Sequence, residues 1–150
     1  MENNDNKTFA ETKKSKGGLV RVWRAFTYSC AGFSAAFKHE HAFRQEVFFF
    51  APLAVFACAL PVSLVYKALL LSALVLVLGF EMINSALEAV VDDISLEYRA
   101  LAKRAKDLGS ASVFCAMTIA ALVWISVIAS GICFGDFDGW FAYVREIFCK

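Results

Sequence analysis

Three uncharged stretches divide the chain, from Val47 to Tyr66, from Ala68 to Phe80 and from Leu108 to Gly135. A helix that crosses a bilayer needs about 20 mainly apolar residues, or roughly 17 at the short end, so the first and third stretches qualify as they stand. The second is short, but Pro61-Val62-Ser63 is a plausible turn, and a helix from Ser63 to Phe80 would reach about 27 Å. The pattern predicts an all-α integral membrane protein with spans at about 47–60, 63–80 and 108–134. Lys67 then sits near the outer end of the second span, where it can snorkel to the headgroups. Upstream, Leu19, Trp23, Phe26, Cys30, Phe33 and Phe37 recur at steps of three or four, with Arg21, Arg24, Tyr28 and Lys38 between them. That is an amphipathic helix, suited either to the membrane surface or to packing on the rest of the protein. Gly32 is a point where it could loosen. Residues 1–18 form a polar tail expected to be disordered. Residues 135–150, with Trp140, Phe141, Tyr143, Ile147 and Phe148, read as an interfacial anchor after a domain that covers 19–134.

The second apolar stretch runs into charge without a break. At about 100° per residue, Glu81, Asn84, Ser85, Glu88 and Asp92 fall within an arc of roughly 100° on one helix face, while Met82, Ile83, Leu87 and Val90 lie elsewhere. Grouped carboxylates repel one another and are costly to desolvate beside lipid. They persist most readily where a cation binds or a proton moves.

Composition supports the membrane assignment: 59% of the 150 residues are hydrophobic and 15 are Phe, with a mean hydropathy of +0.59. No apolar core precedes a small-residue cleavage site, so a signal peptide is not expected. Lys7, Lys13, Lys14, Lys16, Arg21, Arg24, Lys38 and Arg44 precede the first span, and Arg99, Lys103, Arg104 and Lys106 separate the second from the third. By the positive-inside rule the N-terminus and second loop are cytoplasmic and the C-terminus is outside. Glu40, Glu46, Glu81 and Glu88 then collect near the cytoplasmic face. Cys30, Cys58, Cys115, Cys133 and Cys149 form no C-x-x-C pair and read as small buried hydrophobes. The net charge of +1 gives no reason to invoke nucleic acid, and no internal repeat is evident.

His39-Glu40-His41 looks like a metal cluster, yet adjacent side chains splay by about 100° on a helix and cannot all face one ion. The histidines read as interfacial residues. Glu40 and Glu46 stand near the start of the first span, each open to solvation or to pairing with Arg44. Asp107 either caps the third membrane helix or stands beside Lys106 in a phosphate cradle of free backbone N–H groups at that helix start. Carboxylates on two helices, an intervening Asn and a Lys-Asp pair resemble the parts of metal-assisted phosphoryl transfer. Mg²⁺ takes one or two carboxylates plus nucleotide phosphates, so Glu40 and Glu88 would suffice as ligands. Glu81 could accept a proton from an acceptor hydroxyl, and Lys106 could stabilise the transferred group. The chain has neither a Walker loop nor the soluble-kinase signatures. A small oligomeric ion or proton transporter is the alternative of another class. It would place its acids near the midplane, whereas these gather at one face beside a basic loop.

The run Glu81-x-x-Asn84-Ser85-Ala86-x-Glu88-Ala89-Val90-Val91-Asp92, then Glu97-Tyr98, then Arg104-Ala105-Lys106-Asp107-x-Gly109-Ser110-Ala111, closely resembles the prokaryotic diacylglycerol kinase family. Upstream, Glu40-x-Ala42-Phe43-Arg44-Gln45-Glu46 is similar to the segment that leads into that family's first membrane helix. The resemblance covers about residues 20 to 134. It implies a bacterial inner-membrane lipid kinase, homotrimeric, with active sites shared between subunits, that uses ATP and Mg²⁺ to phosphorylate diacylglycerol. By the same resemblance Glu81 is the catalytic base and Glu40 and Glu88 are the magnesium ligands. Arg21, Tyr28, Glu40, Glu88, Glu97, Tyr98, Arg99, Lys106 and Asp107 lie around ATP. Ala42, Phe43, Arg44, Gln45, Glu46, Glu81 and Ser110 face the lipid, and Asn84 and Asp92 support the centre. Undecaprenol is the substrate of another branch of the family, and Lys106-Asp107-Leu108-Gly109-Ser110-Ala111 looks more like the diacylglycerol branch.

Overall fold

Helix accounts for every regular element in the computed structural model, which describes residues 18–94, 97–133 and 139. The elements are α1 (Gly18–His39), α2 (His41–Ala59), α3 (Leu64–Ile94) and α4 (Ala100–Cys133). They separate into two compact units, one ending at His39 and one beginning at Glu40. The first unit is α1, which runs through Gly32 without interruption. It leaves Val20, Val22, Trp23, Phe26, Phe33 and Phe37 exposed, with the Trp23 and Phe26 rings 5.9 Å apart. A helix that exposes this much apolar surface is suited to lipid.

In the second unit, α2, α3 and α4 are each long and apolar enough to cross a membrane. Glu40 interrupts the helical path with an extended backbone, φ −96° and ψ 120°, and its carbonyl accepts the Arg44 N–H at 3.4 Å. Pro52 lies inside α2 and removes one backbone donor, a loss that membrane helices tolerate through local adjustment. The turn at residues 60–63 falls where the sequence places it. Leu60 N–H bonds back to the Phe56 carbonyl at 3.0 Å, and Lys67 N–H to the Ser63 carbonyl at 3.1 Å. Lys67 does not simply snorkel: its Nζ donates to the Cys58 carbonyl at 2.7 Å, satisfying one of the carbonyls that the end of α2 leaves open.

α3 is the central helix and packs on both α2 and α4. Along the α3–α4 pair, Asp92 meets Lys106, Asn84 meets Gly109, and Val77 clusters with Ala116. Leu70 clusters with Trp124, so the two helices run antiparallel. The buried face of α4 is Gly109, Val113, Ala116, Ala120, Trp124, Val127 and Gly131. It repeats at steps of three and four and is mostly small, which lets two backbones approach closely where lipid supplies no hydrophobic force between helices. At the turn end, Ala57, Leu60, Leu70, Leu74, Trp124 and Val127 close the core, with the Phe56 and Trp124 rings stacked at 6.4 Å.

The helices outrun the spans read from hydropathy. α3 and α4 have 31 and 34 residues, about 46 and 51 Å at 1.5 Å per residue, against a hydrocarbon core of about 30 Å. Charged side chains end a membrane span without ending a helix, because water solvates them while the backbone bonds continue. Asp107 is therefore neither a cap nor part of a cradle of free N–H groups. α4 opens at Ala100, the Arg99 carbonyl already accepts the Lys103 N–H at 3.0 Å, and Asp107 stands two turns inside. The cysteines also correct the reading from sequence. Cys30, Cys58, Cys115 and Cys133 are free and exposed, since an apolar solvent accepts a thiol as readily as a core does; Cys149 lies outside the described residues.

Candidate active site

The polar stripe of α3 faces inward. Glu81, Asn84 and Ser85 are buried and Glu88 half-buried, while Ile83 and Val90 on the opposite side are exposed. Folding this way gives the apolar side chains to lipid and keeps the acids against protein, as intramembrane ionisable groups require. From α2, Glu46 enters the same region with 7% of its surface exposed, against 6% for Glu81. Glu40 and Glu46 stand at the start of α2, and Glu81 and Glu88 in the half of α3 remote from the turn that joins the two helices, so four carboxylates share one end of the bundle.

Asn84 organises this cluster. Its Nδ2 donates to Glu88 Oε1 at 3.1 Å, the only sense in which an amide can bond an ionised carboxylate, which has no donor. Its Oδ1 is thereby turned away, and it is buried without a hydrogen-bond partner. That oxygen points at Gly109 of α4, where an added Cβ would collide with it. Gly109 is thus a glycine because of a close approach across the α3–α4 contact, not because of a turn. Glu46 Oε2 is likewise buried and unpartnered.

Beyond the carboxylates, an apolar groove of about 220 Å³ runs between α2 and α3, lined among others by Val47, Phe50, Ala54, Leu74 and Leu78. Val47 follows Glu46, and Leu78 stands one turn from Glu81. The lining of the groove thus includes chain neighbours of both buried acids. A second pocket, of about 260 Å³, opens where the loop after α3 meets the start of α4. Asp92, Glu97, Tyr98, Arg99, Lys103, Lys106 and Asp107 line it. Lys106 Nζ bonds Asp92 Oδ1 at 2.6 Å and ties α4 to α3, while Lys103 Nζ bonds Asp107 Oδ2 at 2.6 Å within α4. The Lys103–Asp107 pair is largely solvated and contributes about 0–1 kcal/mol to stability, while the Lys106–Asp92 pair is partly covered.

The structure thus gathers Glu40, Glu46, Glu81, Asn84 and Glu88 in one cluster, and Asp92, Glu97, Tyr98, Arg99, Lys106 and Asp107 around one pocket. On α2, Phe43 is buried, Arg44 half-buried, and Ala42 and Gln45 exposed; Ser110 is exposed on α4. Arg21 and Tyr28 are exposed on α1, in the other unit. His39 and His41 are exposed too, and among the described residues no three His, Cys, Asp or Glu side chains converge as a metal site. A hard divalent cation at this cluster would rest on two carboxylates and take its remaining ligands from water and phosphate. Glu88, held by Asn84 at 3.1 Å, and the unpartnered Asn84 oxygen are oxygen donors of the kind such an ion takes.

Sequence reasoning passes over two residues. In the sequence Gly109 is a motif letter without a physical role, and only the α3–α4 register reveals what its missing side chain permits. Lys103 reads there as loop charge, although its spacing of four from Asp107 signals a pair once the segment is helical.

The sequence model of the family described as prokaryotic diacylglycerol kinase matches residues 27–128. Among curated relatives, the diacylglycerol kinase of Pseudomonas aeruginosa is 44% identical over 115 residues, covering 77% of this chain and 94% of that one. That of Escherichia coli strain K12 is 45% identical over 107 residues, 71% of this chain and 88% of that one. That of Haemophilus influenzae is 42% identical over 107 residues, 71% and 91% respectively. The chain belongs to the prokaryotic diacylglycerol kinase family, and it is a kinase with three membrane-spanning helices.

Proposed function

We propose that this member of the prokaryotic diacylglycerol kinase family transfers the γ-phosphoryl group of ATP to the primary hydroxyl of diacylglycerol, forming phosphatidic acid. One observation carries the reading: two carboxylates, Glu81 and Glu46, are buried in a bundle of three apolar helices, next in the chain or one turn from residues that line an apolar groove. An amphiphile with a hydroxyl head and acyl chains matches that sequence of environments. Glu81 takes the proton of the hydroxyl as its oxygen bonds to the γ-phosphorus, and the bond from that phosphorus to the bridging oxygen breaks to release ADP. A positioned general base of this kind contributes about 10²- to 10⁴-fold.

The nucleotide occupies the pocket bounded by Glu97, Tyr98, Arg99, Lys106 and Asp107, with Lys106 directed at the phosphates. Arg21 and Tyr28 of α1 are nucleotide-binding residues on family resemblance alone. Mg²⁺ held by Glu40 and Glu88 would offset the charge of the transferred group. Asn84, through its bond to Glu88, and Asp92, through its bond to Lys106, position those groups. Ala42, Phe43, Arg44, Gln45 and Ser110 border the lipid side.

The basic residues before α2 and between α3 and α4 favour a cytoplasmic N-terminus and an outside C-terminus in the bacterial inner membrane. Three spans enclose too little volume for a nucleotide and a lipid together, which favours the family's homotrimer with sites shared between subunits. Purified chain in mixed micelles, given ATP with diacylglycerol and undecaprenol at equal mole fraction, tests the reading. Divalent-dependent formation of phosphatidic acid is the expected result. Transfer to undecaprenol alone would keep the chemistry and replace the substrate. Transfer to neither lipid would overturn the reading and bring the transporter alternative forward.

A further inference from the structure

Lys103 stands outside every role that family resemblance assigns, yet it lines the same pocket as Glu97, Tyr98, Arg99, Lys106 and Asp107. Because α4 opens at Ala100, Lys103 and Lys106 lie one turn apart on neighbouring positions of one helix face. Each ammonium is held by a carboxylate at 2.6 Å, Lys103 by Asp107 and Lys106 by Asp92. An ammonium has three donors, so one such bond leaves two for oxygens of a ligand. The bond also fixes a flexible stem before the ligand arrives, which lowers the ordering cost of binding.

Charge balance points the same way. The lining includes three bases, Arg99, Lys103 and Lys106, and three acids, Asp92, Glu97 and Asp107, so the ionised set is neutral at three minus three. Without Lys103 the set would carry a net negative charge, the sign of a nucleotide's phosphates.

We infer that Lys103 is a second phosphate-binding residue, so that the polyphosphate of a nucleotide lies between the ammonium groups of Lys103 and Lys106 while Asp107 and Asp92 hold them in place. The inference rests on the nucleotide reading of this pocket given above. If the Lys103–Asp107 pair were only a solvated contact along one helix, its removal would leave nucleotide affinity unchanged.

The test uses the full chain in mixed micelles, with Lys103→Met, which keeps the apolar stem, Lys103→Gln and Lys103→Arg. KM for MgATP rises about fivefold in the Met and Gln variants, the loss that one unit charge near the ligand in a water-like dielectric corresponds to. Their kcat and their KM for lipid stay within about twofold of wild type, the signature of lost ground-state binding. Lys103→Arg, which keeps the charge, restores most of the affinity. Equilibrium dialysis of MgATP, run on the same proteins, separates this inference from the function it rests on. A wild type that transfers no phosphoryl group but binds MgATP about fivefold tighter than both neutral variants defeats the kinase reading and upholds the role of Lys103. Equal MgATP affinity in wild type and both neutral variants overturns the inference.

Discussion

Gly109→Ala offers a sharp test of how the site is built. A Cβ at this position collides with the side-chain oxygen of Asn84 and lies 3.4 Å from its Cγ and 3.8 Å from its Cα, so its three nearest neighbours across the helix contact all belong to Asn84. The amide must rotate, and its bond to Glu88 Oε1 at 3.1 Å breaks. Overpacking in a well-packed contact costs about 1–3 kcal/mol, and a hydrogen bond to a charged group contributes about 1.5–3 kcal/mol. Against these losses, replacing a helical Gly with Ala gains about 1 kcal/mol. The expected net effect is a destabilisation of roughly 1.5–5 kcal/mol, the sum of those three contributions. Asn84→Ala alone loses the hydrogen bond but opens the space that the methyl of Gly109→Ala needs. The double variant is then more stable than the two single effects predict, by roughly 2.5–6 kcal/mol, because the collision has gone and the hydrogen bond, lost in each single variant, is lost only once.

The assay is reversible unfolding in mixed micelles of all four proteins, read by circular dichroism, with ATP-dependent turnover measured beside it. Activity falls at least tenfold in Gly109→Ala, since the displaced amide no longer orients Glu88; the double variant regains stability and not activity. Effects that add within about 0.5 kcal/mol, the scatter seen for independent sites, would refute the claim that Gly109 acts through Asn84.

Two further outcomes follow from the geometry. With Glu88 in its proposed role as a metal ligand, Asn84→Ala raises the Mg²⁺ concentration needed for half-maximal activity about 10- to 100-fold, as loss of a residue that orients a metal ligand does, and a magnesium titration of turnover reads it directly. Lys67→Met removes the bond to the Cys58 carbonyl at 2.7 Å and costs about 0.5–1.5 kcal/mol in the unfolding assay, with turnover unchanged because Lys67 is far along the bundle from the carboxylates.

The parts of the fold legible in the sequence are those where polarity and apolar solvent conflict. The turn at Pro61-Val62-Ser63 is visible because Pro breaks a run that lipid would otherwise let continue. The inward face of α3 is visible because Glu81, Asn84, Ser85 and Glu88 share one arc and carboxylates do not face hydrocarbon. The packing face of α4 is hidden, since protein interior and lipid are both apolar and no hydrophobic period survives; only the small residues Gly109, Ala116, Ala120 and Gly131 mark it. The exposed cysteines mislead for the same reason. Helix starts are misplaced by the sequence pattern because Lys103, Arg104, Lys106 and Asp107 look like a loop, when their charge means only that the helix has left the bilayer. That error also hides the Lys103–Asp107 pair, whose spacing has meaning only on a helix. Proximity across helices, such as Gly109 under Asn84 or Lys106 beside Asp92, depends on register, which no local pattern in this chain encodes.

In the proposed mechanism Glu81, buried in the three-helix bundle, takes the proton of the acceptor hydroxyl. Its most direct test is the kcat of purified Glu81→Gln with diacylglycerol and MgATP at saturation, alongside its circular dichroism and its MgATP affinity. The expected result is a folded protein that binds MgATP as wild type does and turns over at least about 10²-fold more slowly. A folded Glu81→Gln protein with wild-type kcat would contradict it.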